Sequence, residues 1–360
     1  MERMLLNLVN EFAARGLRID LVLIRSQSKH LGSLHPGVTR VPLGSSHTGT
    51  SLLPLVRYLR AVRPARMLVA KDRAGRLAVR ARRLAGGETR LVLRLGTNLS
   101  EALNNRNALQ RWARLAPIRR LYPKLDHIIA VSQGVADDTR TLARLPPDRV
   151  SVVRNPVITP ELMRLAAQPP PHDWLLEKSL PVVLAAGRLT RQKDFATLLR
   201  AFHHVQEQVP SRLIILGEGE GRAALEQLMS SLQLEALVDM PGFTPNPFAF
   251  MAAADLFVLS SRWEGSPNVL SEALALGTPV VSTDCPSGPS EILERGKIAP
   301  LVAVGDAGAL AAAMLKTLRN PPPKARLRAA ARDYEVGRSA DGYLSILYDQ
   351  EPPPPCAPVT

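Results

Sequence analysis

The sequence predicts two Rossmann-type α/β domains in tandem, each built on a parallel sheet. Short apolar, β-branched runs alternate with helical patterns along the whole chain, the signature of parallel strands joined by helical crossovers. The alternation breaks once, at the Pro-rich "QPPPHDWLLEKSLP" (168–181), and then restarts. A length of 360 residues suffices for two domains of ordinary size.

The chain opens on "MERMLLNLVNEFAARG", an amphipathic helix. Glu2, Asn7, Asn10 and Glu11 interrupt the continuous apolar core that a secretory signal needs. Strands are expected at 19–24, 67–70, 90–95, 127–131 and 150–153. In the second half they are expected in "PVVLAAGR" (181–188), "RLIILGEGEG" (212–221), "ADLFVLSSRWEG" (254–265) and "PVVSTDCPSG" (279–288). "DFATLLRAF" reads as a helix with Lys193 at its start. Another runs to Leu276, with Ser266 as N-cap, Pro267 at the first helical position and Gly277 as its stop. A last helix, 339–348, precedes "EPPPPCAPVT". The expected division is a first domain over 1–168, a linker over 169–180 and a second domain over 181–330. The C-terminal helix of 331–350 would pack back on the first domain, and 351–360 would be a disordered tail.

Apolar residues make up 46% of the chain, and no apolar run reaches the roughly 18 residues of a membrane helix. Cys285 and Cys356 have no metal-ligand spacing and define no disulfide framework. A cytoplasmic protein is the expectation. The net charge of +14 is uneven. Residues 1–150 hold 27 Lys and Arg against 10 Asp and Glu, while the remainder holds 19 against 22. The basic stretch 57–83 reads as a face for anionic lipid headgroups or an acidic substrate, or as a solvated surface. Arginines outnumber lysines 38 to 8, which points to a chain-wide compositional bias. Scarce aromatics and the lack of a recognised motif argue against a nucleic-acid partner.

In open parallel sheets, ligands bind beyond the carboxyl ends of strands. Four features fall there: Gly187 and Arg188 with Lys193 five residues on; Gly217-Glu218-Gly219-Glu220-Gly221; Glu264-Gly265; and Ser287-Gly288-Pro289. Arg188 and Lys193 suit a diphosphate, one as a planar fork and the other as a point charge. The N–H groups of Asn268 and Val269, just after Ser266-Pro267, form an anion site that the helix dipole reinforces. Glu264 and Glu272 suit sugar hydroxyls. Glu272 falls at the edge of the apolar stripe of Val269, Ala273 and Leu276, widened by Leu270 and Leu274, where a carboxylate is costly unless hydrogen-bonded. A diphosphate carrying a hydroxyl-rich sugar at each end is a nucleotide-sugar. Plainer readings stay open: Glu272 could meet neighbouring backbone or Arg262, Arg188 and Lys193 could sit in surface ion pairs with Glu218 or Asp194, and Gly217–Gly221 could be a simple turn. His203 and His204 read as surface residues of a helix.

Glu264 and Glu272, seven residues apart within "EGSPNVLSEALALGTPVV", resemble the E-x7-E motif of family GT4 retaining glycosyltransferases. "GRLTRQKDFATLLRAF" (187–202) is similar to that family's Arg/Lys donor-phosphate segment. "LGEGEGRAALE", "VSQGVADD", "VVRNPV" and "LVAVGDAGALAAAM" match its style in the expected order. The resemblance implies the GT-B fold, two Rossmann-like domains with parallel sheets facing across a cleft. It implies transfer of a sugar from a nucleotide-sugar to a saccharide or lipid-linked acceptor, with retention, in cell-surface polysaccharide or glycolipid assembly. Glu264 would bind the transferred sugar and Glu272 the ribose. Arg188 and Lys193 would hold the diphosphate and stabilise the leaving group, with Gly187, Gly217, Glu218, Gly265, Ser266, Asn268 and Val269 completing the donor site. Neither cofactor nor metal is implied, and no D-x-D motif occurs. The protein would be cytoplasmic, on the inner face of the membrane.

Two departures qualify the resemblance. The family's first domain opens on a strand and a Gly-rich loop, whereas Met1 falls inside what reads as the following helix. About 15 residues, a strand and a short loop, are expected to be lacking, leaving neighbouring strands unpaired. In "LRLGTNLSE" (93–101), Thr97 and Asn98 occupy a loop where many relatives carry a histidine, as possible donor or acceptor contacts. Alternatives in function are a non-catalytic remnant that binds nucleotide-sugar, and a GT-B sugar-nucleotide epimerase.

Overall fold

A computed structural model describes residues 2–24, 33–45, 47–101 and 107–349. The chain divides into two units, one of Met1–Pro156 with Val336–Thr360, the other of Val157–Glu335.

The first unit begins with helix α1 (Glu2–Ala14), whose Met4, Leu8 and Phe12 recur at helical spacing and are buried. Strands β1 (Ile19–Leu23) and β2 (Val38–Pro42) pair in parallel. Helix α2 (Leu52–Val62) buries Leu55, Val56 and Leu59. Strand β3 (Arg66–Ala70), helix α3 (Asp72–Ala85), strand β4 (Arg90–Leu95), helix α4 (Ala108–Leu121), strand β5 (His127–Ala130), helix α5 (Gln133–Ala143) and strand β6 (Val150–Val152) follow in alternation. Strands β3 to β6 form one parallel sheet in that order.

The β1–β2 pair is not hydrogen-bonded to that sheet. Between β1 and β3 lies a cavity of about 1510 Å³, lined by both strands and by Leu5, Leu8 and Phe12 of α1. The consequence shows in burial. Every residue of β1 is only half-buried, although four of its five are apolar, whereas Leu91 to Leu95 of β4 are all buried. The sheet is therefore open at the position where a first strand was expected.

In the second unit, helices α6 (Pro160–Ala166) and α7 (Asp173–Leu176) precede a complete sheet. Its elements are β7 (Val182–Ala186), α8 (Phe195–Gln206), β8 (Arg212–Leu216), α9 (Arg222–Ser231), β9 (Val238–Gly242), α10 (Pro247–Ala253) and β10 (Leu256–Leu259). They continue as α11 (Asn268–Leu276), β11 (Val280–Thr283), α12 (Pro289–Ile292), β12 (Leu301–Val302), α13 (Ala307–Arg319) and α14 (Lys324–Ala330). The six strands are parallel in the order β12-β11-β10-β7-β8-β9. Chain order runs outward from β7 on one side and from β10 on the other. The direction of winding thus reverses between them, and the crevice beyond their carboxyl ends is the expected ligand position. Strand β7 is buried throughout and flanked by two apolar layers, as a central parallel strand must be.

The last helix, α15 (Val336–Tyr348), returns to the first unit, where Tyr343, Leu344 and Leu347 pack with Leu8 and Phe12. Arg90 and Arg66 donate to the carbonyls of Ile346 and Leu347, satisfying its open C-terminal end.

Several expectations change. The units part after Pro156, before the expected boundary at 168, because Val157 and Leu162 join the second core and the Val157 and Ile158 N–H groups donate to Tyr334 O, each at 2.9 Å. The expected linker of 169–180 packs on the second unit. Leu175 is buried, His172 Nε2 lies 2.9 Å from Asp239 Oδ2, and Arg212 stacks on Trp174. Strands β2, β9 and β12 went unrecognised: Val38–Pro42 carries Arg40 and Pro42, Val238–Gly242 carries Asp239 and Pro241, and β12 has two residues. The tail over 351–360 lies outside the described residues.

Candidate active site

The second unit brings two of the four sequence features onto the reversal point and packs the other two against them, one on each side. Gly187 and Arg188 leave the end of β7, and Ser260 to Glu264 leave the end of β10. Gln192 ties the two loops together, accepting from Arg262 N at 2.8 Å and donating through Nε2 to Trp263 O at 2.9 Å. Ser260 Oγ donates to Lys193 O at 2.8 Å.

Lys193 then runs back across Gly187, whose missing side chain leaves it room, and its Nζ reaches Glu264 Oε1 at 2.5 Å. Ser261 Oγ donates to the same oxygen at 2.8 Å, and Thr283 Oγ1 fixes Ser261 by donating to its carbonyl at 2.6 Å. Glu264 is 8% exposed. Both donors converge on Oε1, and no described group donates to Oε2. Arg188, by contrast, is exposed and makes no side-chain hydrogen bond or ion pair with any described residue.

The expected surface pairs of these cations are therefore replaced. Lys193 pairs with Glu264; Asp194 pairs with Arg262 Nε at 3.0 Å; Glu218 pairs with Arg222. Arg222 holds the exposed Glu218 carboxyl below the usual carboxylate range. Asp194, at φ 48°, also turns the chain into α8.

The Gly-rich stretch has a steric reason. At Gly217 the backbone has φ 135°, and a Cβ there would sit 1.9 Å from Gly187 O. Gly217 N donates to Gly242 O at 2.8 Å and Leu189 N to Glu218 O at 3.0 Å, so this loop braces the 187–193 loop from behind. Gly288 plays the same part on the other side: its Cβ would lie 2.7 Å from Pro267 Cδ and 3.1 Å from Gly265 O. Glu264 N donates to Pro286 O at 3.3 Å, locking the two loops. Cys285 is buried beside them, and desolvation, reinforced by the Glu264 charge, pushes its thiol up to about 12.

Helix α11 starts one residue later than expected. Pro267 takes an extended ψ of 100° and becomes the cap, so Asn268 and Val269 open the helix. Ser266 then lies too far upstream to cap it, and its hydroxyl is buried without a hydrogen bond. The helix start keeps the N–H groups for which no intrahelical acceptor exists, beside Gly265. Glu272 is 7% exposed, and every residue from Leu270 to Leu276 is buried. The expected half-exposed edge does not exist; the helix is covered all round and the carboxylate goes in with it.

Thr97 and Asn98 belong to the first unit, just past β4. Thr97 is exposed, and Asn98 Oδ1 accepts from Glu101 N at 3.2 Å, shaping a local turn. Asp138 holds the next residue, accepting from Leu99 N at 2.7 Å.

Sequence reasoning missed Ser261, Thr283 and Gln192, which position Glu264 and the two loops. Their signal was weak: polar residues at strand ends are common.

Residues 171–334 match the family described as glycosyl transferases group 1, and residues 1–160 match glycosyltransferase family 4. Over 269 residues the chain is 31% identical to the N-acetylgalactosamine-N,N'-diacetylbacillosaminyl-diphospho-undecaprenol 4-alpha-N-acetylgalactosaminyltransferase of Campylobacter jejuni, covering 73% of this chain and 71% of that one. The chain belongs to the family 4 glycosyltransferases. An uncharacterised glycosyltransferase of Methanocaldococcus jannaschii is 40% identical over 148 residues, 41% of this chain and 36% of its own length. The lipopolysaccharide core biosynthesis glycosyltransferase LpsE of Rhizobium meliloti is 34% identical over 46% of this chain and 49% of its own. The chain thus spans about a third and about half of these last two relatives. Among solved structures, Anabaena HepE in complex with UDP and glucose aligns with a TM-score of 0.77 at 19% identity, over 97% of this chain and 95% of that one. A lipopolysaccharide outer core galactosyltransferase, WaaB, aligns at 0.72 and 17%. These neighbours establish the glycosyltransferase's GT-B fold. Among the described residues, no helix is long and apolar enough to cross a membrane.

Proposed function

We propose that this glycosyltransferase moves a sugar from a nucleotide-sugar to a saccharide or lipid-linked acceptor, with retention, in the assembly of a cell-surface polysaccharide or glycolipid. The observation that carries the reading is the Glu264 carboxylate, with Oε1 held by Lys193 and Ser261 and Oε2 left open, beside the unpaired Arg188. An acceptor oxygen and an exposed cation at the ends of two neighbouring strands suit a sugar hydroxyl and a diphosphate. A UDP complex of the HepE neighbour and the diphospho-undecaprenol substrate named for the Campylobacter relative agree with this chemistry.

In this reading Arg188, the remaining Lys193 protons and the first N–H groups of α11 receive the diphosphate, and Glu272 meets the ribose. The bond from the anomeric carbon to the phosphate oxygen breaks as the acceptor hydroxyl attacks on the same face, and its proton passes to the leaving phosphate. The protein's contribution is fixed positive charge where the leaving group gains negative charge. No metal and no cofactor take part. The protein works in the cytoplasm, at the inner face of the membrane.

The test is a thermal-shift series of the whole chain against UDP, GDP, ADP and their sugar conjugates. At a hundredfold excess over Kd, binding adds about 2.7 kcal/mol, or roughly 5–10 °C for a unit of this size. A shift with one nucleotide is expected. Arg188→Ala, which removes an exposed and unpaired side chain, is expected to weaken it at an unchanged ligand-free melt, and Glu272→Ala to weaken it as well. A cooperative melt unmoved by every nucleotide would overturn the reading.

A further inference from the structure

Strands β1 and β3 border the same cavity, and each turns part of its backbone into it. In a parallel ladder, successive residues of a strand send their N–H and C=O groups to opposite sides. Leu23 O accepts from Leu43 N at 2.8 Å, so Ile19, Leu21 and Leu23 bond toward β2, and Asp20 and Val22 turn the other way. Arg90 N donates to Ala65 O at 2.9 Å and Lys71 N to Arg94 O at 3.3 Å. Met67 and Val69 therefore bond toward β4, while Leu68 and Ala70 turn away from it. The backbone groups of Asp20, Val22, Leu68 and Ala70 hydrogen-bond to no described residue, and all four residues are half-buried at the cavity wall. Backbone groups so placed are costly unless paired.

The size and walls of the cavity describe what would pair them. One strand residue in a packed sheet occupies roughly 160 Å³, from its rise, the strand spacing and the layer thickness. A volume of about 1510 Å³ thus holds roughly nine residues of extended chain. Leu8 and Phe12 line one face and belong to the core on the α1 side of the sheet; Leu55, Leu77 and Ala78 line the other and belong to the opposite core. An occupant is therefore apolar on both faces, as a central strand is. Exposed cations stand at its ends, Arg18 and Arg63 before β1 and β3, and Lys71 and Arg73 after β3. The acidic lining residues are already engaged, Asp20 by Tyr58 Oη at 2.8 Å and Asp72 by Arg76 at 2.7 Å. A lipid chain would fill the volume and leave the backbone groups unpaired. The chain's own "EPPPPCAPVT" lacks the N–H groups a ladder needs.

We propose that this slot is a strand-binding site. It takes one extended segment of a second polypeptide, apolar on both faces and acidic at its ends, which pairs with β1 on one side and β3 on the other and joins the two sheets of the first unit into one. Main-chain bonds supply the affinity, and the two apolar faces select the side chains. The inference goes beyond the proposed transfer reaction and is independent of the donor site.

The probe is a soluble peptide of alternating valine, alanine and leucine, about nine residues long, with paired glutamates at both ends. Its binding to the whole chain is read by fluorescence anisotropy and by amide exchange. Saturable binding is expected, with exchange at 20–22 and 68–70 slowed at least about tenfold and exchange at 182–186 unchanged. The same peptide N-methylated on two consecutive central amides keeps its apolar surface and loses a donor on each side. It is expected to bind at least about tenfold more weakly. The variant Val22→Pro removes an N–H that faces the slot and leaves the ladder to β2, and is expected to weaken binding by a similar factor. The methylated peptide tests the same bonds should that variant fail to fold. Absence of binding, equal binding of the methylated peptide, or exchange at 20–22 and 68–70 unmoved by saturating peptide would each overturn the proposal.

Discussion

Removing Lys193 while keeping Glu264 tests the architecture of the site most directly. The ion pair is 2.5 Å long, with the lysine side chain 15% exposed and the glutamate 9%. Breaking a fully buried pair by deleting one partner costs about 3–5 kcal/mol, mostly the penalty of the stranded charge. Here the stranded carboxylate keeps the Ser261 bond, and its Oε2 is open, so about 2 kcal/mol is the expected loss for Lys193→Met. For a unit of this size that lowers the melt by roughly 4–8 °C. Glu264→Gln keeps an acceptor for the ammonium and should cost less, about 1 kcal/mol. In the double variant neither charge is stranded, so a double-mutant cycle should return a coupling of about 1 kcal/mol or more. Calorimetry of the four proteins reads all three quantities. An unchanged melt for Lys193→Met, or a coupling near zero, would refute the claim that the pair is a closed, partly desolvated contact. A nucleotide shift of wild-type size in Lys193→Met would separately refute its role in holding the diphosphate.

The other predictions concern the loops around this pair. Gly217→Ala places a Cβ 1.9 Å from Gly187 O at φ 135°, where the backbone itself is strained for any side chain. A loss of at least about 3 kcal/mol is expected in chemical denaturation, and a wild-type midpoint would show that the two loops do not brace each other. In a Cys356→Ser background, Cys285 should resist a thiol reagent at pH 8, because burial pushes its thiol up to about 12. The thiolate fraction there is on the order of one in ten thousand and rises tenfold per pH unit, on top of the block from burial. Labelling as fast as a free thiol in the folded protein would contradict both the burial and the proximity to Glu264.

The alternation of runs announced both sheets, because a central parallel strand is apolar on both faces, as 182–186 is throughout, while 91–95 interrupts its run only with Arg94, buried and donating to Asn155 Oδ1 at 2.6 Å. Edge strands carry no such demand, and β2, β9 and β12 were invisible for that reason. Residue type and position at strand ends brought Arg188, Lys193, Glu264 and the α11 start together. What could not be read was which partner each charge takes. The sequence offered Glu218 and Asp194 as ion-pair partners for Lys193, and finding Glu264 instead requires knowing that β7 and β10 are neighbours. The cap of α11 moved by one residue because a proline's ψ, unlike its φ, is free. The Pro-rich 168–181 has a linker's composition, yet Trp174 and Leu175 are two apolar side chains with a core to join.

The two units differ in how fully their sheets are closed. The second closes six strands into one sheet, and its site loops are pinned by side chains and backbone from that unit alone. The first divides its six strands into groups of two and four, and leaves Ile19, Leu21, Val22 and Leu23 half-buried against a cavity of about 1510 Å³. Half-buried apolar side chains contribute only part of their transfer free energy, and unpaired strand edges open more readily than paired ones. Heat or denaturant should therefore loosen β1 and β3 before it touches β7 and β10. Amide exchange across residues 19–23 and 66–70 should run faster than across 182–186 and 256–259. The loops that hold the Lys193–Glu264 pair would keep their geometry through that first opening, while β1 and β3 would not.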